Sequence, residues 1–156
     1  MSNIIFLDLD GVLITTPSWK ADQIDVDGYS MFNKKCVENF NLLTENLECE
    51  IWLSSTRRMT KNLEEFRKIF SNRNIEKEIA GFLPIPKSYN TPRIDEIESF
   101  LRKEKVGNFL ILDDDSSLHK LGEENKKYWV RTHLTIGFDS EKLAEAKNII
   151  TNLWKL

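Results

Sequence analysis

An α/β fold is what this chain predicts: a Rossmann-like, mostly parallel sheet with helices on both faces. Three observations carry that expectation. Short apolar runs alternate with amphipathic helical segments, which is the pattern of strands joined by crossover helices. Two of the runs end abruptly in acids, Asp8 and Asp10 after the first and Asp113, Asp114 and Asp115 after a later one. The length, 156 residues with 40% hydrophobic and 30% charged side chains, suits one domain spanning 1–156.

The elements follow in order. Ile4 to Leu9 is an apolar run with an acid set into it, as expected of a strand buried on both faces. Thr15 to Ser30 is polar, holds Pro17 and Gly28, and shows no sustained period, so it reads as a loop or short hairpin, flexible and overhanging the first strand. Phe32, Cys36, Val37, Phe40, Leu43 and Leu47 share one helical face. Cys49 to Leu53 is the second strand, closed by Ser54, Ser55 and Thr56, and a helix carrying Leu63, Phe66 and Ile69 follows with Thr60 as its expected cap. Phe82 to Ile85 is expected as a third strand, confined to an edge by its prolines. Thr91-Pro92 opens a helix through Ile94, Ile97 and Leu101. Phe109 to Leu112 and Tyr128 to Val130 are the fourth and fifth strands, and a last helix begins near Ser140.

Bulk properties narrow the function. A net charge of −3 leaves no global footprint for nucleic acid, although the local group Arg57, Arg58 and Lys61 suits phosphates. No apolar run approaches the ~20 residues of a membrane span, and no leader precedes the first strand, so a cytoplasmic protein with no membrane partner is expected. Cys36 and Cys49 lack metal-ligand spacing and read as buried free thiols. His119 and His133 are isolated and take structural roles, while Trp19, alone among the four tryptophans, sits in a loop where it is free to stack on a base.

The acids carry the chemistry. Parallel strands bring Asp8 and Asp10, Ser54 to Thr56, and Asp113 to Asp115 to one edge of the sheet, where ligands bind in such folds. Carboxylates gathered at a buried edge repel one another, and the remedy is a hard cation with oxygen ligands, magnesium above all. An acid inside an apolar strand is costly without such a partner, which weighs against a plain turn or cap for Asp8.

The segment Asp8-Leu9-Asp10-Gly11-Val12, Ser54 after a strand, and Asp113-Asp114 after a later strand resemble the haloacid-dehalogenase (HAD) superfamily over nearly the whole chain. Trp52-Leu53-Ser54-Ser55 and Leu112 to Asp115 are similar, more narrowly, to the phosphatase-like domain of Swiss Army knife RNA-repair proteins. Thr56, Arg57 and Arg58 depart from that pattern, which has an aromatic residue after the serines.

The resemblance implies a phosphohydrolase with Asp8 as nucleophile and Asp10 as acid and then base. It implies Ser54, with Ser55 beside it, as phosphate donors, and Arg93 or Lys87 as the cation that neutralises the intermediate. It also implies Mg2+ held by Asp8, the Asp10 backbone carbonyl and Asp114 as the direct acidic ligand with Asp113 beside it, the triple acid Asp113 to Asp115 leaving a one-residue ambiguity. Neither insertion point of the family holds a cap domain, so a bulky phosphorylated substrate is expected, a nucleic-acid end first, with nucleotides and phosphoproteins as rivals. A phosphate-binding module without turnover and a phosphotransferase are the remaining alternatives.

Overall fold

The computed structural model describes residues 1–88 and 90–156. Among them, five strands form one sheet in the order β3-β2-β1-β4-β5, and every pairing is parallel. The strands are β1 (Ser2–Leu7), β2 (Glu50–Leu53), β3 (Ile79–Phe82), β4 (Val106–Asp113) and β5 (Trp129–Arg131). The helices are α1 (Lys34–Thr44), α2 (Leu63–Asn72), α3 (Arg93–Lys103), the single turn α4 (Glu123–Lys126) and α5 (Ser140–Leu153).

β1 shows why the sheet must be covered twice. Ile5 and Leu7 point to one face, Ile4 and Phe6 to the other, and all four are buried. Fully burying such a side chain stabilises by ~1.5–3 kcal/mol, so leaving either face open would be expensive. One core layer takes Ile5 and Leu7 together with Phe40 of α1, Phe66 and Phe70 of α2, and Ala146 of α5. The opposite layer takes Ile4 and Phe6 with Ile94, Ile97 and Phe100 of α3. Phe6 meets Phe100 edge-on with ring centroids 5.3 Å apart.

Helix starts follow local chemistry. Asn33 caps α1 by accepting the Cys36 N–H, and Asp139 caps α5 by accepting the Lys142 N–H. Asn62, rather than the expected Thr60, caps α2, and with Glu65 it forms a reciprocal capping box. Thr60 instead closes a 3-10 turn over Thr56–Met59, its hydroxyl donating to the Arg57 carbonyl at 2.7 Å. β3 also differs from expectation: it is an edge strand as foreseen, but it lies over Ile79–Phe82 and the prolines follow it. Proline has no N–H to give the ladder, so pairing ends where Pro84 begins to approach.

The expected excursion after β1 is a hairpin, and it is tied down. Asp25 and Tyr29 are joined by a 2.8 Å backbone bond, and Ile24 bridges Ser30 in antiparallel fashion. Arg73, at the end of α2, reaches across to Asp27 at 2.6 Å and to the Ser30 carbonyl at 2.9 Å. No helix of the described residues is long and apolar enough to cross a membrane.

Candidate active site

β1 lies between β2 and β4, so the residues that leave these three strands are neighbours. Two backbone bonds set the register. The Asp8 N–H donates to the Leu112 carbonyl at 3.1 Å, and the Ser54 N–H donates to the Leu7 carbonyl at 2.9 Å. Chain order reverses direction across β1, with β2 on one side and β4 on the other, and a crevice opens at such a switch point.

Gly11 takes the chain away at once. Its φ of +82° is a backbone conformation that side-chain-bearing residues rarely adopt, and a Cβ there would lie 2.3 Å from Asp114 Oδ2. The turn therefore does two things: it ends β1 at Leu7, earlier than the apolar run suggests, and it admits the Asp114 carboxylate beside the loop that carries Asp8.

Asp8, Asp113 and Asp114 each offer a carboxylate oxygen within 4.8 Å of the others. Asp8 Oδ1 accepts the Leu9 N–H at 2.8 Å, and Asp113 Oδ1 accepts the Asp115 N–H at 2.9 Å. Arg93, at the first position of α3, donates to Asp113 at 2.5 Å and lies 3.7 Å from Asp8. Behind it Glu96 bridges two guanidiniums, Arg93 at 3.1 Å and Arg58 at 2.5 Å, all of them nearly or fully buried.

Burial, with the Asp113 charge next, pushes Asp8 well above the usual carboxylate range, against the pull of Arg93. Burial raises Asp113 as well, again opposed by Arg93. Asp114, half-buried and beside Asp113, is pushed up to about 6. Asp8, Asp113, Asp114 and Glu96 face only Arg93 and Arg58 within this group, an excess of two negative charges when all are ionised. One divalent cation balances that excess, and three carboxylate oxygens at this spacing are the hard donors magnesium takes. The residues thus fit the ion.

Ser54 strengthens the assignment. Its side chain is fully buried, yet Oγ has no hydrogen-bond partner among the described residues. A buried hydroxyl without a partner costs about 1–3 kcal/mol, and a phosphoryl oxygen arriving beside Asp8 is a partner of the right kind. Ser55 differs in that its Oγ already has a partner: it accepts the Arg57 N–H at 3.2 Å and caps the 3-10 turn, which leaves its O–H free to donate. Lys87 is exposed and lines a groove with Pro84, Thr91 and Asp95 rather than joining the carboxylates, leaving Arg93 as the cation the fold places beside Asp8.

The Asp10 carboxylate is not one of the three that gather. Both of its oxygens are taken by Arg57, Oδ2 by Nε at 2.8 Å and Oδ1 by Nη2 at 2.9 Å. The same guanidinium holds Asp22 at 2.8 Å, Ser30 Oγ at 3.1 Å and Tyr29 Oη at 3.2 Å, joining the hairpin to the site. Sequence reasoning assigned neither Arg57 nor Arg58 a specific partner. The departure at Thr56–Arg58 from the family pattern was the available signal, and it falls on both of them.

Cys36 and Cys49 are free, the first buried and the second half-buried. Burial pushes the Cys36 thiol up to about 11, which makes it inert at neutral pH. His119 packs edge-on against Trp129 and takes no part in the cluster.

No curated protein and no solved structure matches this chain. A family model does: the HAD domain in Swiss Army Knife RNA repair proteins matches residues 4–143, from β1 into α5. The match takes in β1 from Ile4 onward, the four other strands and each residue of the carboxylate cluster. With the all-parallel sheet and the acids at its β1–β4 edge, it places the chain in the HAD domain family of Swiss Army Knife RNA repair proteins, a family of phosphohydrolase-type chemistry.

Proposed function

We propose that the protein is a magnesium-dependent phosphohydrolase that works through an aspartyl-phosphate on Asp8 and acts on phosphorylated nucleic-acid ends. The observation that carries this reading is the meeting of Asp8, Asp113 and Asp114 with Arg93 and the partnerless Ser54 hydroxyl on three adjacent strand ends.

Asp8 attacks phosphorus, and the bond from phosphorus to the leaving oxygen breaks as Asp10 supplies that oxygen with a proton. Asp10 then takes a proton from water, and the water oxygen displaces Asp8 from phosphorus, releasing inorganic phosphate. The Leu9 N–H holds Asp8 in one orientation throughout. Arg93 and the Ser54 hydroxyl stabilise the charge on the transferring oxygens. Magnesium, when bound by Asp8, Asp113, Asp114 and the Asp10 carbonyl, supplies charge neutralisation at those oxygens.

Among the described residues no large cap covers the strand ends, which favours a large substrate that excludes water with its own surface, and the family's association with RNA repair points to a polynucleotide end. Nucleotides and phosphopeptides are the comparison substrates. One observation favours the rival reading of a binding module without turnover: Arg57 occupies both oxygens of Asp10.

Phosphate release from an aryl phosphate, with and without magnesium, tests the chemistry. Wild-type protein is expected to turn over only with the metal, and Asp8→Asn to lose at least about three orders of magnitude while keeping its fold. Equal activity in the variant would remove Asp8 from the mechanism. Magnesium-dependent binding of phosphorylated oligonucleotides without turnover of any substrate would favour the module.

A further inference from the structure

Arg57 sits where a proton donor needs room. A carboxylate whose two oxygens both accept N–H bonds from one guanidinium has only its remaining lone pairs to offer any other partner. Asp10 is in that state, with Nε on one oxygen and Nη2 on the other. Release of either bond by Arg57 would free an Asp10 oxygen for the leaving group.

The surroundings make that exchange feasible. Asp10 is 43% exposed and Arg57 21%, so this pair lies at the mouth of the site, unlike the buried Arg93 pair. Arg57 does not depend on Asp10 for its position: Asp22, Ser30 Oγ and Tyr29 Oη hold it from the hairpin side. Asp22 stays ionised for that task; burial raises it, but hydrogen bonds from Ser30, Arg57 and Thr16 hold it down to about 2. Lys61 adds a second positive charge, its Nζ 5.8 Å from the Tyr29 ring centre, over which Arg57 also lies at 5.7 Å.

We infer that Arg57 is the binding site for a second anionic group of the substrate, one bond network away from the scissile phosphate, and that this group takes the guanidinium from Asp10 and frees it to act. The inference rests on the phosphohydrolase reading for the role of Asp10 and sharpens its substrate class. The second anion is a phosphodiester next to the terminal phosphate, so a polynucleotide end satisfies the site and an isolated phosphomonoester does not. Planar, bidentate recognition of phosphate oxygens is what a guanidinium offers and a lysine does not.

Binding to the Asp8→Asn protein, measured by calorimetry with magnesium present, separates this inference from turnover. The probes are a nucleoside monophosphate and the matching dinucleotide that carries one additional phosphodiester. The dinucleotide is expected to bind about tenfold more tightly or better, the size of one charge-assisted interaction. Adding Arg57→Gln should bring the two affinities together, and Arg57→Lys should recover only part of the difference. Thermal melts check that each variant is folded.

Equal affinities in the Asp8→Asn protein, or a preference that survives Arg57→Gln in a folded variant, would overturn the assignment. A preference for the dinucleotide that disappears with Arg57→Gln, in a protein whose wild type releases no phosphate from either probe, would uphold the anion site while refuting the phosphohydrolase reading. With active wild type, the ratio of kcat/KM between the two probes gives the same test. A purely structural arginine would lower both values and leave their ratio unchanged.

Discussion

Arg93 and Arg57 each grip a carboxylate at the end of β1, but they do so in opposite surroundings. Arg93 lies among Asp8, Asp113 and Glu96 with every side chain nearly or fully buried, while Arg57 holds Asp10 and Asp22 where water reaches all three. Charges in the first group cannot separate without leaving a desolvated ion behind, whereas those in the second can exchange partners with solvent or substrate. The same chemical pair is therefore buried and fixed on one side of Asp8 and open to solvent on the other.

The largest effect expected from this contrast is on stability. Arg93→Met should cost about 3–5 kcal/mol in urea unfolding without magnesium, because Asp113 and Glu96 lose a partner deep in the protein. Arg57→Met should cost about 1 kcal/mol or less, as exposed ion pairs do. Similar losses in the two variants would erase the distinction.

Metal and pH sharpen it further. Groups whose folded pKa is raised favour the folded state at acidic pH, and that contribution is lost as pH climbs through the folded value. For Asp114 the window runs from its ordinary 3.8 to about 6, and Asp8 and Asp113 are raised in the same direction. Metal-free protein should thus lose stability from about pH 4 to above pH 6. Magnesium at about 100 times its Kd adds about 2.7 kcal/mol, read as a rise of about 5–10 °C in Tm. That rise should be present at pH 7.5 and largely absent at pH 5, where protons already occupy the cluster. A shift independent of pH would mean that the ion binds elsewhere.

Gly11→Ala is a finer probe of the same cluster. The left-handed backbone costs an alanine about 1–2 kcal/mol, and the new methyl must displace the Asp114 carboxylate. Denaturation should record that loss, and a magnesium titration followed by Tm should show a weaker midpoint than wild type. An unchanged midpoint would take Asp114 out of the ligand set.

The sheet and its acidic edge were legible because their causes are local. An apolar run ending in Asp8-Leu9-Asp10-Gly11 carries its own strand, its own turn and its own acids within a few residues. The start of β3 was not, because edge pairing with β2 decides it, and the run of Leu83 to Ile85 looks as strand-like as Ile79 to Phe82. The cap of α2 was misplaced by two residues because Thr60 and Asn62 both suit a helix start, and only the reciprocal bond with Glu65 separates them. Least legible was the partner of Asp10. Arg57 lies 47 residues away, and nothing in local spacing relates the two. Arg58, next to it and fully buried, is sequestered by the Leu83 and Pro84 carbonyls and by Glu96, contacts that exist only once β3 and α3 are in place.

Gly137 meets the loop that follows β1 from a distant part of the sequence. Its φ is +71°, a Cβ there would lie 2.8 Å from the Val12 carbonyl, and the next residue, Phe138, donates its N–H to that same carbonyl at 2.9 Å. Asn39 of α1 reaches the Phe138 carbonyl at 3.0 Å, across 99 residues. During synthesis, the first strand and its acids leave the ribosome long before the segment that buttresses them. At about 5–20 residues per second, the wait from Val12 to Phe138 is on the order of ten seconds. For that interval the Val12 carbonyl must rely on water, and the loop that follows β1 matures only after the segment around Phe138 has been made.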